Sequence, residues 1–411
     1  MNKSQFLFSV TQWIKSKEAK ALVEKELSFH LQIKTKEYAL KGFSTSNAES
    51  KAIKEMGNPT TIGKKFNHLY RPMIDWSIIG VFVFLLLAGF ILLYLLEGSG
   101  YHLSWSNKIT YVLIGLFIAG IMMFLNYESW LKYRAAFLIM TVVYLLFLTQ
   151  FNERFSDFIW FIDRPFLLST NLNSNLAIPL LLIAVAGFLA KPLRTREWLF
   201  LVISLMFSFA LIISLFNVAM FGAFIVMIAG MLLYRKMFKT IFTFIALFSL
   251  PFVALPNSIY HRHRILAMLE GDNYAISIAR KILMEASWYP KGLSEDTMLP
   301  HTDFAALTIV YGTGYIISLI ILGALLFLII KALKILKEIK SEFGRLLIVG
   351  STTLFAYQLF YNLGMVIGVL PLMSVPLPFL SYGFLPILLN AIFIGILLST
   401  YRRKNFIPTN I

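Results

Sequence analysis

A handful of polar side chains in one stretch hold most of the chemistry this chain offers. Asp303 stands in "MLPHTDFAAL", residues 298–307, two residues after His301 and directly before a long apolar run. Arg262, His263 and Arg264 lie upstream in the same polar stretch, followed by Lys291. A carboxylate at the edge of an apolar phase, facing clustered cations across one loop, suits a general base that acts on a hydroxyl nucleophile. Low-dielectric surroundings move a carboxyl toward the working range, and His301 is near enough in sequence to tune this one. Two arginines beside a membrane surface suit bidentate binding of a phosphate or diphosphate. Each residue also has a plainer use. An aspartate before a helix caps it, flanking arginines snorkel to lipid head groups, and a lone histidine is often an ordinary loop residue.

Other chemistries find little to work with. The chain has no cysteine, which removes disulfides, thiolate nucleophiles and cysteine metal sites. No phosphate-binding glycine loop, dinucleotide fingerprint, zinc-protease helix or serine nucleophile elbow occurs. His261 and His263 are the one close histidine pair and have no nameable further ligands, so no metal is assigned. The sequence names no cofactor.

The elements that must position these residues are membrane helices. Of the 411 residues, 58% are hydrophobic and 14% charged, with a mean hydropathy of +0.74. Soluble chains are far more charged, so the composition specifies an integral, all-α membrane protein. Apolar runs predict ten transmembrane helices at 76–96, 109–126, 135–151, 176–190, 198–215, 218–234, 240–257, 304–330, 346–370 and 378–400. With both termini in the cytoplasm, the inner connections carry sixteen Lys and Arg residues and the outer ones eight, Lys108 among them. The net charge of +16 is thus mainly a topology signal, and nucleic acid is not an expected partner.

Residues 258–303 form a large extracytoplasmic loop between the seventh and eighth spans, too long for a structureless linker. Within it "NYAISIARKILMEASW" has helical apolar spacing, which suits a helix lying on the outer membrane face. Residues 1–72 contain no run long enough to span a bilayer and read as a small cytoplasmic helical domain ahead of the membrane domain, 73–411. One of its helices stops at Gly42. The next starts with a capping box from Ser46 to Glu49 and ends at Gly57 and Pro59.

"NLGMVIGVLPLMSVPLPFLSYG", residues 362–383, resembles the C-terminal signature of the SEDS family (shape, elongation, division and sporulation; RodA/FtsW/SpoVE-like). Asn362, Pro376, Pro378, Ser381, Tyr382 and Gly383 are among its matched positions, and they read as structural. The "HTDF" motif, "HRHRILAML" at 261–269 and the ten spans agree with it. "GFSTSNAESKAIKEMGNPTTIGKKF" resembles a cytoplasmic helical module that precedes some permease-like proteins.

The resemblance implies a peptidoglycan glycosyltransferase of the cytoplasmic membrane that polymerises lipid II at the outer face, for cell shape, division or sporulation. It would be paired with a class B penicillin-binding protein. Asp303 is then the essential carboxylate, and Arg262, Arg264, Lys291 and His301 contact substrate. Acidic residues that the family carries after the motif are replaced here by Tyr311 and Gly312. That keeps open a catalytically diverged homologue that scaffolds cell-wall assembly. A lipid-linked precursor transporter is a third reading, but charges on a transport path are nearly absent from the spans.

Overall fold

The structure is a computed structural model that describes residues 1–98, 104–161, 174–214, 218–238, 240–241, 244, 281–291, 305–370 and 375–405. The described residues are helical with turns and contain no strand. They divide into two compact units, one made of residues 1–74, 338–341 and the tail from Tyr401, the other of Asp75–Lys337 and Glu342–Thr400.

The first unit holds four helices: α1 (Lys3–Thr11), α2 (Lys17–Leu40), α3 (Thr45–Met56) and α4 (Pro59–Leu69). Phe6, Val10, Ile14, Val23, Leu27, Leu31 and Tyr70 form its core. Gly42 follows the end of α2 with φ 87°, as a stop residue should. The expected capping box is not formed. Ser46 lies inside α3, whose cap is Ser44, and the Glu49 carboxylate instead accepts the Lys3 N–H at 2.6 Å. A capping box does occur between Asn2 and Gln5. Pro59 begins α4 rather than ending α3, because proline's missing N–H costs nothing in a first turn. In the same unit Arg403 forks onto Glu18 at 2.8 and 2.9 Å.

The second unit contains α5 (Trp76–Gly98), α6 (Trp105–Phe124), α7 (Arg134–Phe161), α8 (Ala177–Leu189), α9 (Thr195–Ser214) and α10 (Val218–Tyr234). Farther along the chain come α11 (Ala305–Glu338), α12 (Glu342–Ile367) and α13 (Phe384–Arg402). Seven helical stretches among the described residues are long and apolar enough to cross a membrane, and α8 and α10 are shorter apolar helices. The chain is therefore a polytopic membrane protein. The expected span at 240–257 lies mostly outside the described residues.

Helix α8 packs on α7, α10 and α12, and all of its residues but Leu180 are buried. A helix that is apolar on every side belongs in the middle of a bundle. Arg134 holds its C-terminal end, donating to the Gly187 carbonyl at 3.4 Å and pairing with Glu197 at 2.5 Å.

The expected span at 304–330 is instead two helices in one line. Gly314, at φ 82° and ψ 171°, breaks α11. The piece after it, residues 315–338, is about 36 Å long, a full crossing by itself. The piece before it is short and buried, with Ala305, Leu307, Thr308 and Ile309 all below 3% exposed.

Asp75, one residue before α5, is 6% exposed and pairs with Lys331 at 2.9 Å. Burial raises its pKa, but the Ser77 hydroxyl, the Lys331 ammonium and the Ile78 N–H outweigh this and hold the carboxyl below its ordinary value. A depressed carboxyl stabilises the fold above its unfolded value and loses that contribution as pH falls through the folded one. Thermal unfolding of detergent-purified protein should show Asp75→Asn costing about 1–3 kcal/mol at neutral pH. The gap from wild type should close at pH below the ordinary aspartate range. In the same assay Gly314→Ala should cost at least about 2 kcal/mol, because its φ is positive and a Cβ would stand 2.7 Å from the Trp288 carbonyl oxygen.

Candidate functional site

Two features of the described residues lie next to the sequence motifs along the chain. The first is the break in α11. Gly314 leaves the Tyr315 and Ile316 N–H groups and the Gly312 carbonyl without helical partners. A strap, residues 281–291, supplies them. The Ser287 carbonyl accepts from Tyr315 N–H at 3.0 Å, and the Trp288 carbonyl from Ile316 N–H at 3.5 Å. Lys291 N–H donates to the Gly312 carbonyl at 3.3 Å. The Tyr315 hydroxyl donates to the Leu283 carbonyl at 2.6 Å, and the Trp288 and Tyr315 rings lie 5.5 Å apart. Residues 281–285 are helical, so part of the expected surface helix is present. Met284, Trp288 and Tyr289 are exposed on the strap.

The second feature is the turn between α12 and α13, which carries the proline signature. Asn362, fully buried on α12, donates from Nδ2 to the Val375 carbonyl at 2.9 Å. Ser381 closes the turn in both directions. Its hydroxyl accepts the Leu377 N–H at 2.8 Å, and its own N–H donates to the Leu377 carbonyl at 3.3 Å. Phe379 takes a left-handed φ of 64°, and its buried ring sits 5.3 Å from Phe82 and 5.5 Å from Phe355. The Tyr382 hydroxyl donates to the Ser104 carbonyl at 3.3 Å, tying the turn to the start of α6. Pro376 and Pro378 lie in this turn and Gly383 ends it, so α13 begins at Phe384 and not at 378.

Lys291 is the one expected substrate contact among the described residues. It is exposed, and its Nζ donates to the Glu285 carbonyl at 3.5 Å. Asp303, His301, Arg262 and Arg264 lie outside the described residues. All six signature residues are described: Pro376, Pro378, Ser381, Tyr382 and Gly383 lie in the turn, and Asn362 reaches it from α12.

One residue was misread from sequence. Lys108 is not a loop charge but a fully buried side chain of α6, with Nζ 3.5 Å from the Leu380 carbonyl oxygen. The signal was present: Lys108, Tyr111, Val112, Gly115, Ala119 and Met123 share one helical face, and that face points inward.

The model of the FtsW/RodA/SpoVE cell cycle proteins matches residues 68–405. The chain belongs to this family. It is 32% identical over 165 residues to a probable peptidoglycan glycosyltransferase FtsW of Trichlorobacter lovleyi, covering 37% of this chain and 43% of that one. The peptidoglycan glycosyltransferase MrdB of Escherichia coli is 28% identical over 165 residues, covering 37% and 45%. The chain thus spans less than half the length of these curated relatives. Among solved structures, a chain of a peptidoglycan synthase complex superposes with a TM-score of 0.62 at 18% identity, over 80% of this chain and 98% of that one. RodA of Thermus thermophilus superposes with a TM-score of 0.54 at 15% identity, over 81% and 98%. At these identities the likeness is one of fold, and it extends over 80% and 81% of this chain.

The Asn362 amide bridges α12 to the family signature. Asn362→Leu should cost about 1–3 kcal/mol of stability by stranding the Val375 carbonyl, measured by thermal unfolding in detergent. An unchanged midpoint would show that this bond contributes nothing.

Proposed function

We propose that this chain is a peptidoglycan glycosyltransferase that polymerises lipid II at the outer face of the cytoplasmic membrane. One observation carries the reading: "HTDF" stands inside the family-matched region and ends one residue before the buried first piece of α11. The names of the FtsW and MrdB relatives support it. In the proposed step Asp303 takes the proton from a sugar hydroxyl as that oxygen attacks the anomeric carbon of a second lipid-linked sugar. The new C–O bond forms as the bond to the diphosphate breaks, and undecaprenyl diphosphate leaves with the electron pair. Arg262, Arg264 and Lys291 steady the charge that develops on the diphosphate, and His301 tunes the carboxylate.

The reading includes ten crossings, with the loop 258–303 outside and both termini in the cytoplasm. It includes residues 1–72 as a cytoplasmic prefix domain to a membrane domain from 73 onward. The partner is a class B penicillin-binding protein, which the likeness to a chain of a peptidoglycan synthase complex supports.

A second reading is a diverged homologue that scaffolds cell-wall assembly. The packing at Gly312 favours it. A Cβ there would stand 2.6 Å from Leu95 Cδ1, so a side chain at the site of a family acidic residue would require Leu95 to move.

Purified protein with its cognate penicillin-binding partner should convert lipid II to glycan. Asp303→Ala should lower that rate by at least about 100-fold. A variant as fast as wild type would end the general-base assignment, and a wild type that makes no glycan would leave the scaffold reading.

A further inference from the structure

Lys108 has no role in the step above, and its surroundings are unusual for a lysine. The side chain is fully buried, and no ion pair joins it to a carboxylate among the described residues. Burying a cation without an opposite charge is costly, so a lysine kept at such a place needs a local use. Its Nζ donates to the Leu380 carbonyl at 3.5 Å. Gly89 on α5 makes the space: a Cβ there would stand 2.9 Å from Lys108 Nζ and 3.0 Å from the Phe379 carbonyl oxygen.

The signature turn explains why a donor is needed. Pro376 and Pro378 bring no N–H, and the left-handed Phe379 turns the chain sharply. Two described residues of the turn therefore bring a carbonyl and no N–H, and buried carbonyls require partners. Lys108 brings donors from a neighbouring helix, and an ammonium carries three. Helix α5, which contributes Gly89 and Phe82 to this contact, also places Leu95 against Gly312 in the first piece of α11. The signature turn and the helix that follows "HTDF" thus share α5 as a common wall.

We propose that Lys108 is a positioning residue that latches the signature turn to α6, seated against α5 at Gly89, and so keeps the first piece of α11, and the carboxylate preceding it in the chain, in register. This rests on the polymerase reading for its effect on turnover. It does not rest on it for the latch itself.

The chain contains no cysteine, so single introduced cysteines report cleanly. Leu380→Cys keeps the backbone carbonyl and places a thiol at a fully buried position of the turn. Leu182→Cys places one in the equally buried α8 as a control. In Lys108→Met, maleimide labelling at 380 should quicken by about tenfold while position 182 stays protected, as expected for one lost buried hydrogen bond. With lipid II and the penicillin-binding partner, the same variant should lose about tenfold in kcat with KM within about twofold of wild type. Gly89→Ala keeps the lysine but takes its space, so it should move both readouts the same way. It also decides the matter if Lys108→Met does not assemble. Protection at 380 and a wild-type kcat in both variants would overturn the proposal, as would labelling that rises equally at 182. If wild type makes no glycan, the polymerase reading fails alone, and labelling at 380 still decides whether the latch exists.

Discussion

The membrane unit depends on one break in one helix. Within a bilayer, each backbone N–H and C=O must find a partner inside the protein. Gly314 stops α11 with a backbone conformation that frees two N–H groups and a carbonyl in a buried stretch of the chain. The strap 281–291 answers with two carbonyls and one N–H of its own. The short piece ahead of the break can then run inside the bundle, buried on nearly every side, while the full-length crossing starts at Tyr315 and faces lipid at Leu319 and Ile320. Without the strap, the break would strand those groups. Without the break, the residues after "HTDF" would sit on the rim of a single long span.

The turn between α12 and α13 follows the same rule by other means. Prolines remove donors, and side chains supply partners: Asn362 and Lys108 donate to the Val375 and Leu380 carbonyls, and the Ser381 hydroxyl accepts the Leu377 N–H. Phe379 then locks the turn between α5 and α12 with its ring. This accounts for the mixture of prolines and buried polar residues in the signature. The prolines shape the turn, and the polar residues satisfy backbone groups that it leaves over. Helix α5 receives both the turn and the buried piece of α11.

Much of this architecture is legible in residue order, because apolar runs and basic loops report directly on the bilayer. The helices at 76–98, 105–124, 177–189, 195–214 and 218–234 lie where hydropathy puts them. The break at Gly314 is hidden for a physical reason. "YGTGYII" keeps its hydropathy across the glycine, and only the strap, some twenty-five residues upstream, makes the positive φ worthwhile. Lys108 hides because charge counting assigns a lysine at a span's edge to the loop, although its helical spacing from Tyr111 and Gly115 puts it inside. In the first unit, Ser46 and Glu49 have the spacing of a cap but lose to tertiary contact, since Lys3 of α1 claims the Glu49 carboxylate. The signature residues were legible as a group, yet their bonding was not, because sequence shows neither the turn's spare carbonyls nor which helix answers them.

The proposed function turns on Asp303, which it places on the outer side of the membrane and which directly precedes Phe304 and α11 in the chain. Since the chain has no cysteine, Asp303→Cys in intact cells tests this with a membrane-impermeant thiol reagent. The account predicts labelling from outside without permeabilisation, slowed when lipid II accumulates. Labelling that requires access from the cytoplasm, or none from either side, would contradict it.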